Sequence, residues 1–413
     1  MIKCSVEDGN ITLPGFINCW SYSWQSLFRN CPDMQNAGDD WLNNLAKRVI
    51  HMTDDNFYTA AVTHYTECLL GGATTAVDCL YLVKDERVFD AILQAARDVG
   101  IRLILVRSSM DKNPTGSPYL APFIQARKDI LSHSEALIKK YHDAQDNSML
   151  QIGLGPCSLS SGSAELYRET ARLARKYGVR LYTLLGEDKN DRKICEQESG
   201  SFCRYMKQLG WSGPDIVFVN CVDFNDSDLD EAKDNNVNIV DCPRSNARGT
   251  GITKLTEIIE KGIPLGIGTA GAAGNDAICM QDELVWARYS QGMRGRRYLD
   301  SRLMLQIASE GGAKVLGRSD LIWSDINHAK DKIRYDIKKD LSYAGAFCDP
   351  IGSLVGSGKL PVRDVIVNGK IIIREHELDF MLEGKTAVIQ NIWERQQTIA
   401  AKLDEQSSVF RNE

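Results

Sequence analysis

The stretch LQIGLGPCSLSSGSAELYRETARLARKYGVRLYTLL (150–185) decides the fold. It opens with LQIGLGPC (150–157), a short and nearly continuous apolar run, the composition of a parallel strand covered on both faces. SAELYRETARLARKYG (163–178) follows, with apolar residues at helical spacing and Gly178 where the helix should stop. RLYTLL (180–185) is then a second apolar run. Strand, amphipathic helix, strand: this is one βα unit, and its crossover makes the two strands parallel.

Working outward, the same unit recurs eight times. The runs are GFINCWSY (15–22), TTAVDCLYL (74–82), RLILVRSS (102–109) and LQIGLGPC (150–157). They continue as RLYTLL (180–185), DIVFVNCV (215–222), NIVDCP (238–243) and IPLGIGTAG (263–271). Eight βα units in one chain predict an α/β fold, a (β/α)₈ TIM barrel rather than an open sheet. The barrel should occupy residues 15–320, after a short N-terminal β segment at 1–14. The remainder, 321–413, reads as a small, reduced β appendage. Its strand pair VRDVIVNGKIII (362–373) turns at Asn-Gly, and a helix over 383–406 closes the chain.

Composition narrows the function classes. A chain of 413 residues with 43% apolar content buries a large core, and its net charge of -6, without a basic run, argues against nucleic acid or an anionic membrane. No run of 18 apolar residues exists to span a bilayer, and MIKCSVEDGN lacks the pattern of a secretory leader. The twelve cysteines are scattered, several within apolar runs, which suits a reduced, cytoplasmic protein.

In such barrels chemistry sits where the strands end. Those positions carry Trp20, Tyr22 and Gln25 after the first strand, Asp78 and Tyr81 on the second, and Arg107 on the third. Cys157 and Ser158 end the fourth, and the fifth supplies Tyr182, Leu184 and Glu187. Asn220 belongs to the sixth, Cys242, Arg244 and Asn246 follow the seventh, and Thr269 and Ala270 end the eighth.

With these segments in hand, among them PGFINCWSYSWQSLFRN, LGPCSLSSGSAELYRETARLARKYGVRLYTLLGED, CPRSNARGTGI and GIGTAGAAGND, the chain resembles the cyclic-amidine deaminases of the amidohydrolase superfamily. In particular it is similar to the branch of 8-oxoguanine deaminases and hydroxyatrazine-type aminohydrolases. The resemblance covers almost the whole chain and implies a homodimer. It also implies a metal held by a His-x-His, a His three residues before a Glu, a further His and an Asp. Here those five ligand positions are Trp20, Tyr22, Leu184, Asn220 and Ala270, while the Glu survives as Glu187. The six histidines, His51, His64, His133, His142, His328 and His376, all lie away from strand ends. A site rebuilt from Cys19, Cys79, Cys157, Cys221 and Cys242 is disfavoured, because Cys19 and Cys221 should point away from the lumen. The expected cofactor is therefore none.

Losing a metal has a size. Zinc lowers the pKa of bound water from about 15.7 to about 7, worth roughly 12 kcal/mol, whereas a lone general base supplies roughly 3–5 kcal/mol. Two readings remain. One is a metal-independent enzyme acting on a small planar nitrogen heterocycle. Glu187 would be its general acid/base, Tyr22 and Tyr182 its hydroxyl donors, and Trp20, Tyr81, Gln25, Cys157, Asn220, Thr269, Arg107 and Arg244 its ligand contacts. The other is a pseudoenzyme kept for ligand binding or assembly, with Trp20 and Tyr22 merely filling the void. Asp78 is expected to pair with Arg107.

Overall fold

Gly268 and Thr269, two adjacent residues, close the central sheet of the computed structural model. It describes residues 3–34, 39–187, 189–346, 348–356 and 359–408. Barrel strands one to seven are Phe16–Tyr22, Ala73–Leu80, Arg102–Ser109, Leu150–Pro156, Leu181–Leu185, Ile216–Asn220 and Asn238–Asp241. Each pairs in parallel with the next. The eighth is split: Leu265–Ile267 pairs with strand seven, and Ala270–Gly271 pairs with strand one. Between the halves, Gly268 donates its N–H to Asp241 O at 2.8 Å and Thr269 donates to Trp20 O at 3.0 Å. Both ends of the sheet thus lie on one stretch of chain, and the architecture is an α/β, TIM-like barrel.

The strands are buried on both faces, as their continuous apolar runs require. Between strands four and five, the helix Ala164–Tyr177 starts where Ser163 Oγ accepts the Leu166 N–H. It stops at Gly178, whose φ of 68° is the left-handed cap that glycine adopts without strain.

Outside the barrel lies an antiparallel sheet of six strands, in the order Ser5–Glu7, Asn10–Pro14, Lys332–Asp336, Asp364–Val367, Lys370–Arg374, Glu377–Leu378. The two ends of the chain build it together, since Asn10–Pro14 pairs with Lys332–Asp336. Asn368-Gly369 makes the turn between Asp364–Val367 and Lys370–Arg374, with φ of 50° and 79°. The closing helix runs Ile389–Ser408 rather than from 383. Residues 381–386 instead form a small hairpin, Met381–Leu382 against Lys385–Thr386, turning at Glu383-Gly384, both at positive φ. No helix among the described residues is long and apolar enough to cross a membrane.

A buried ion pair fastens the appendage to the barrel. Arg102, the first residue of strand three, grips Asp331 with Nε and Nη2, each at 3.0 Å, and Asp331 also accepts the Asn368 N–H. This contact leaves the opposite, strand-end face of the barrel to the pocket.

Candidate active site

Strand one sets the floor of the pocket. Alternation along an extended strand puts Trp20 and Tyr22 on one face, and that face is the lumen. The Trp20 indole donates Nε1–H to Tyr22 Oη at 2.8 Å, and the rings meet edge to face with centroids 5.7 Å apart. Tyr81 packs edge-on to Tyr22, and Trp24 braces both from behind while donating to Cys79 O.

These side chains border a cavity of about 260 Å³ at the strand ends. Trp20, Tyr22, Leu184, Asn220 and Ala270, drawn from strands one, five, six and eight, all line it. So do Gln25, Tyr81, Cys157 and Glu187. Of the eleven side chains put forward from sequence, seven are brought together here: Trp20, Tyr22, Gln25, Tyr81, Cys157, Glu187 and Asn220.

The other four are placed elsewhere. Tyr182 lies one layer below, in the barrel interior. Its ring stacks under Trp20 at 6.1 Å, and its hydroxyl is buried with no hydrogen-bond partner. It fits because residue 153 is glycine: a Cβ there would stand 2.7 Å from the Tyr182 ring. Arg107 turns away from the lumen to Gln125 Oε1 at 2.6 Å, His133 Nδ1 and Ser108 O. Burial pushes its pKa down to about 10. Arg244 lines a separate cavity of about 550 Å³ with Arg248, Trp286 and Met293, and reaches Ala277 O and Asp282. Thr269 is fully buried, its hydroxyl accepting from Asn18 Nδ2 and donating to Ala270 O. Asp78 does not meet Arg107 either. It accepts the Tyr65 hydroxyl at 2.7 Å and the Ser23 N–H at 2.9 Å, and burial raises its carboxyl to about 6.

Several lining residues escaped the sequence reading. Trp41 and Leu42 come from the helix Asp39–Val49 after strand one, and Met110, Pro114 and Thr115 from the loop after strand three. Ser160 and Ser161 join Ser158, itself a strand-end position in the sequence, in a hydroxyl cluster with contacts of 2.9 and 3.0 Å. Asn190 and Asp191 enter from the helix that follows Glu187. The SLSS run and the lone Trp in DDWLNNLAKRV were the available signals.

Electrostatics at the floor keep protons on. Burial raises the Tyr22 and Tyr81 pKa values well above the usual phenol range, and Glu187 is among the neighbours that add to it. Burial and then Glu187 push the Cys157 thiol up to about 12, so it stays a thiol at neutral pH rather than a nucleophile. Tyr22 accepts from Trp20 and keeps its own hydrogen to donate; a phenol that is itself a hydrogen-bond acceptor is a stronger donor.

Backbone geometry at the site is also unusual. Asn220 (φ 76°), Cys221 (φ 51°) and Ala270 (φ 52°) lie in the left-handed region, which costs a side-chain-bearing residue free energy and clusters at functional sites. Gly271 must be glycine for a different reason: a Cβ there would stand 2.0 Å from Gln25 Oε1, so its absence lets the Gln25 amide lie against the strand.

A metal does not fit this donor set. The five converging positions offer an indole, a phenol, an isobutyl group, a carboxamide and a methyl group, none of them an imidazole or carboxylate. Zinc and iron in such sites are held by imidazole, thiolate and carboxylate. Among the described residues no group of three or more His, Cys, Asp or Glu side chains is placed to hold an ion. His64, the histidine on the helix Asp54–Leu70, bonds Ser21 Oγ at 3.0 Å, and burial lowers its pKa to about 3.

Comparison with known proteins gives the lineage of this site. The chain matches the model of the amidohydrolase family over residues 11–322. It is 33% identical over 320 residues to an 8-oxoguanine deaminase of Pseudomonas aeruginosa, covering 76% of this chain and 71% of the relative. It is 26% identical over 396 residues to a hydroxydechloroatrazine ethylaminohydrolase of a Pseudomonas species, covering 92% and 81%. The crystal structure of an atrazine chlorohydrolase from Arthrobacter aurescens complexed with zinc superposes with a TM-score of 0.84 at 26% identity, covering 95% of this chain and 88% of that one. Relatives of this chain are hydrolytic enzymes acting on nitrogen heterocycles, and the chain belongs to the amidohydrolase family.

Proposed function

We propose that the chain is a metal-independent enzyme acting on a small planar nitrogen heterocycle, with Glu187 as general acid/base. The observation that carries this reading is the cavity itself. The five positions that the resemblance assigns to metal ligands face an open space of about 260 Å³ bordered by a carboxylate, rather than being packed shut. A pocket retained only as filler would close under the pressure to pack densely. Its size lies just under the roughly 300–1,000 Å³ typical of ligand pockets, which suits one or two fused rings.

In this reading Trp20 and Tyr81 cover the faces of the ring. Tyr22 donates to a ring oxygen as negative charge develops on it, with Gln25, Asn220 and Cys157 around the edge. Glu187 takes a proton from one atom and returns it to another, so no proton is consumed over the cycle. Such a site serves elimination, ring opening or closure, or hydrolysis of an activated C–N bond, where orientation and proton transfer suffice. Tyr182, Arg107, Arg244 and Thr269 have no part in it. A reducing, cytoplasmic setting suits the buried thiols of the barrel strands.

The test joins metal analysis to turnover. Purified protein is analysed for zinc and iron, then assayed with 8-oxoguanine, isoxanthopterin, 5'-deoxyadenosine and hydroxylated triazines, the compound classes named for its relatives. Turnover unchanged by chelators is expected with at least one of them, and a stoichiometric metal required for activity would overturn the reading. The Glu187→Gln variant should lose at least ~100-fold in turnover, the lower bound for a general base, while still binding a neutral heterocycle.

A further inference from the structure

We propose that the strand-end cavity selects a cationic ligand: a planar nitrogen heterocycle that carries a positive charge on a protonated ring nitrogen or amidine-type group. This rests on the reading of the cavity as the ligand site and narrows the chemistry it accepts.

The walls carry the argument. Trp20, Tyr22, Trp41 and Tyr81 line the space, and Glu187 and Asp191 are its carboxylates. Among the described lining residues none is Lys, Arg or His. The two arginines offered by the sequence as ligand contacts are held elsewhere, Arg107 by Gln125 and Arg244 beside Asp282. An anionic ligand would lose its water and gain no countercharge among these walls. A cation meets the opposite situation, because aromatic faces attract positive charge and a nearby carboxylate adds to the attraction. At the floor, Glu187 is one of the neighbours that disfavour ionisation of Tyr22, the sign that also favours a cation. Asp191 accepts the Gly186 N–H at 3.0 Å, and Glu187, the carboxylate that the proposed function makes the acid/base, is the one at which the selectivity is tested.

Three probes of the same ring and nearly the same shape separate the charges: benzamidine (cationic at pH 7), benzamide (neutral) and benzoate (anionic). Binding to the full-length protein is followed by calorimetry and by the fluorescence of the cavity tryptophans. Benzamidine should bind at least ~10-fold more tightly than benzamide, and benzoate more weakly than both. Glu187→Gln should bring benzamidine to the level of benzamide while leaving benzamide unchanged, and Glu187→Asp, which keeps the charge, should restore the preference. Benzoate or benzamide binding as tightly as benzamidine would overturn the charge selectivity and leave the ligand-site reading standing. A benzamidine preference that survives in Glu187→Gln would overturn the assignment to Glu187. Failure of all three probes to bind would overturn both the selectivity and the cavity as a site for such rings.

Discussion

Tyr22 is placed to work in two directions. Its oxygen accepts the Trp20 indole N–H inside the barrel, and its side chain lines the cavity, to which the hydroxyl can donate. Removing the hydroxyl therefore has a cost separate from any effect on chemistry. Tyr22→Phe leaves the buried Trp20 Nε1–H without an acceptor, which should destabilise the fold by about 1–3 kcal/mol. Urea unfolding of the single variant and of Trp20→Phe/Tyr22→Phe checks this, because the double variant removes donor and acceptor together and should cost less than the sum. At this scale the sequence was informative about which residues share a face and silent about depth. Tyr182 and Leu184 alternate onto the same face of strand five, yet only Leu184 reaches the cavity while Tyr182 supports Trp20 one layer down. Strand periodicity has no coordinate along the barrel axis. Arg107 and Arg244 failed for another reason: a long side chain goes where partners satisfy it, and those partners, Gln125 and Asp282, come from distant segments.

Single elements tie the parts of the molecule together. Strand three reaches the appendage through Arg102 and Asp331, both almost fully buried. Breaking such a pair strands a charge in the interior. Asp331→Asn should cost about 3–5 kcal/mol, and replacing both partners with apolar residues should cost less. Equilibrium denaturation of the two variants distinguishes the outcomes. The elements were the most legible level, since apolar runs and capped amphipathic segments mark βα units directly: all eight runs coincide with strands, with ends shifted by a residue or two. The misreading of 383–388 as helix is instructive. Glu383-Gly384 is a two-residue turn with both φ values positive, and the adjoining pairs are too short to show alternation. That hairpin was visible only as one glycine.

The whole molecule carries a signature in its pH dependence. Glu283 is fully buried and raised to about 8 by burial, despite hydrogen bonds from the Arg244 N–H and Asn275 Nδ2. A carboxyl whose folded pKa lies above its ordinary value of 4.5 binds its proton more tightly in the folded state. Its contribution is fully present below 4.5 and is lost as pH rises through about 8. Stability should therefore increase as pH falls from about 8.5 towards 6.5, and Glu283→Gln should flatten that rise in urea titrations at the two pH values. Below 6.5 the trend should be opposed, because burial holds His64 and His133 down at about 3 and about 4 and the unfolded chain takes up protons that they cannot.

The split eighth strand has a consequence for how the chain comes to be folded. Asn18 and Thr269, joined by two hydrogen bonds at the seam, are 251 residues apart. Until residues 265–271 have been made, strands one and seven each present an unpaired edge, the kind of surface on which chains join one another. Ring closure is then a late event that loop entropy slows. A nascent or truncated chain ending before residue 265 should be prone to aggregate through those edges, while a few residues more supply the last stave of the barrel.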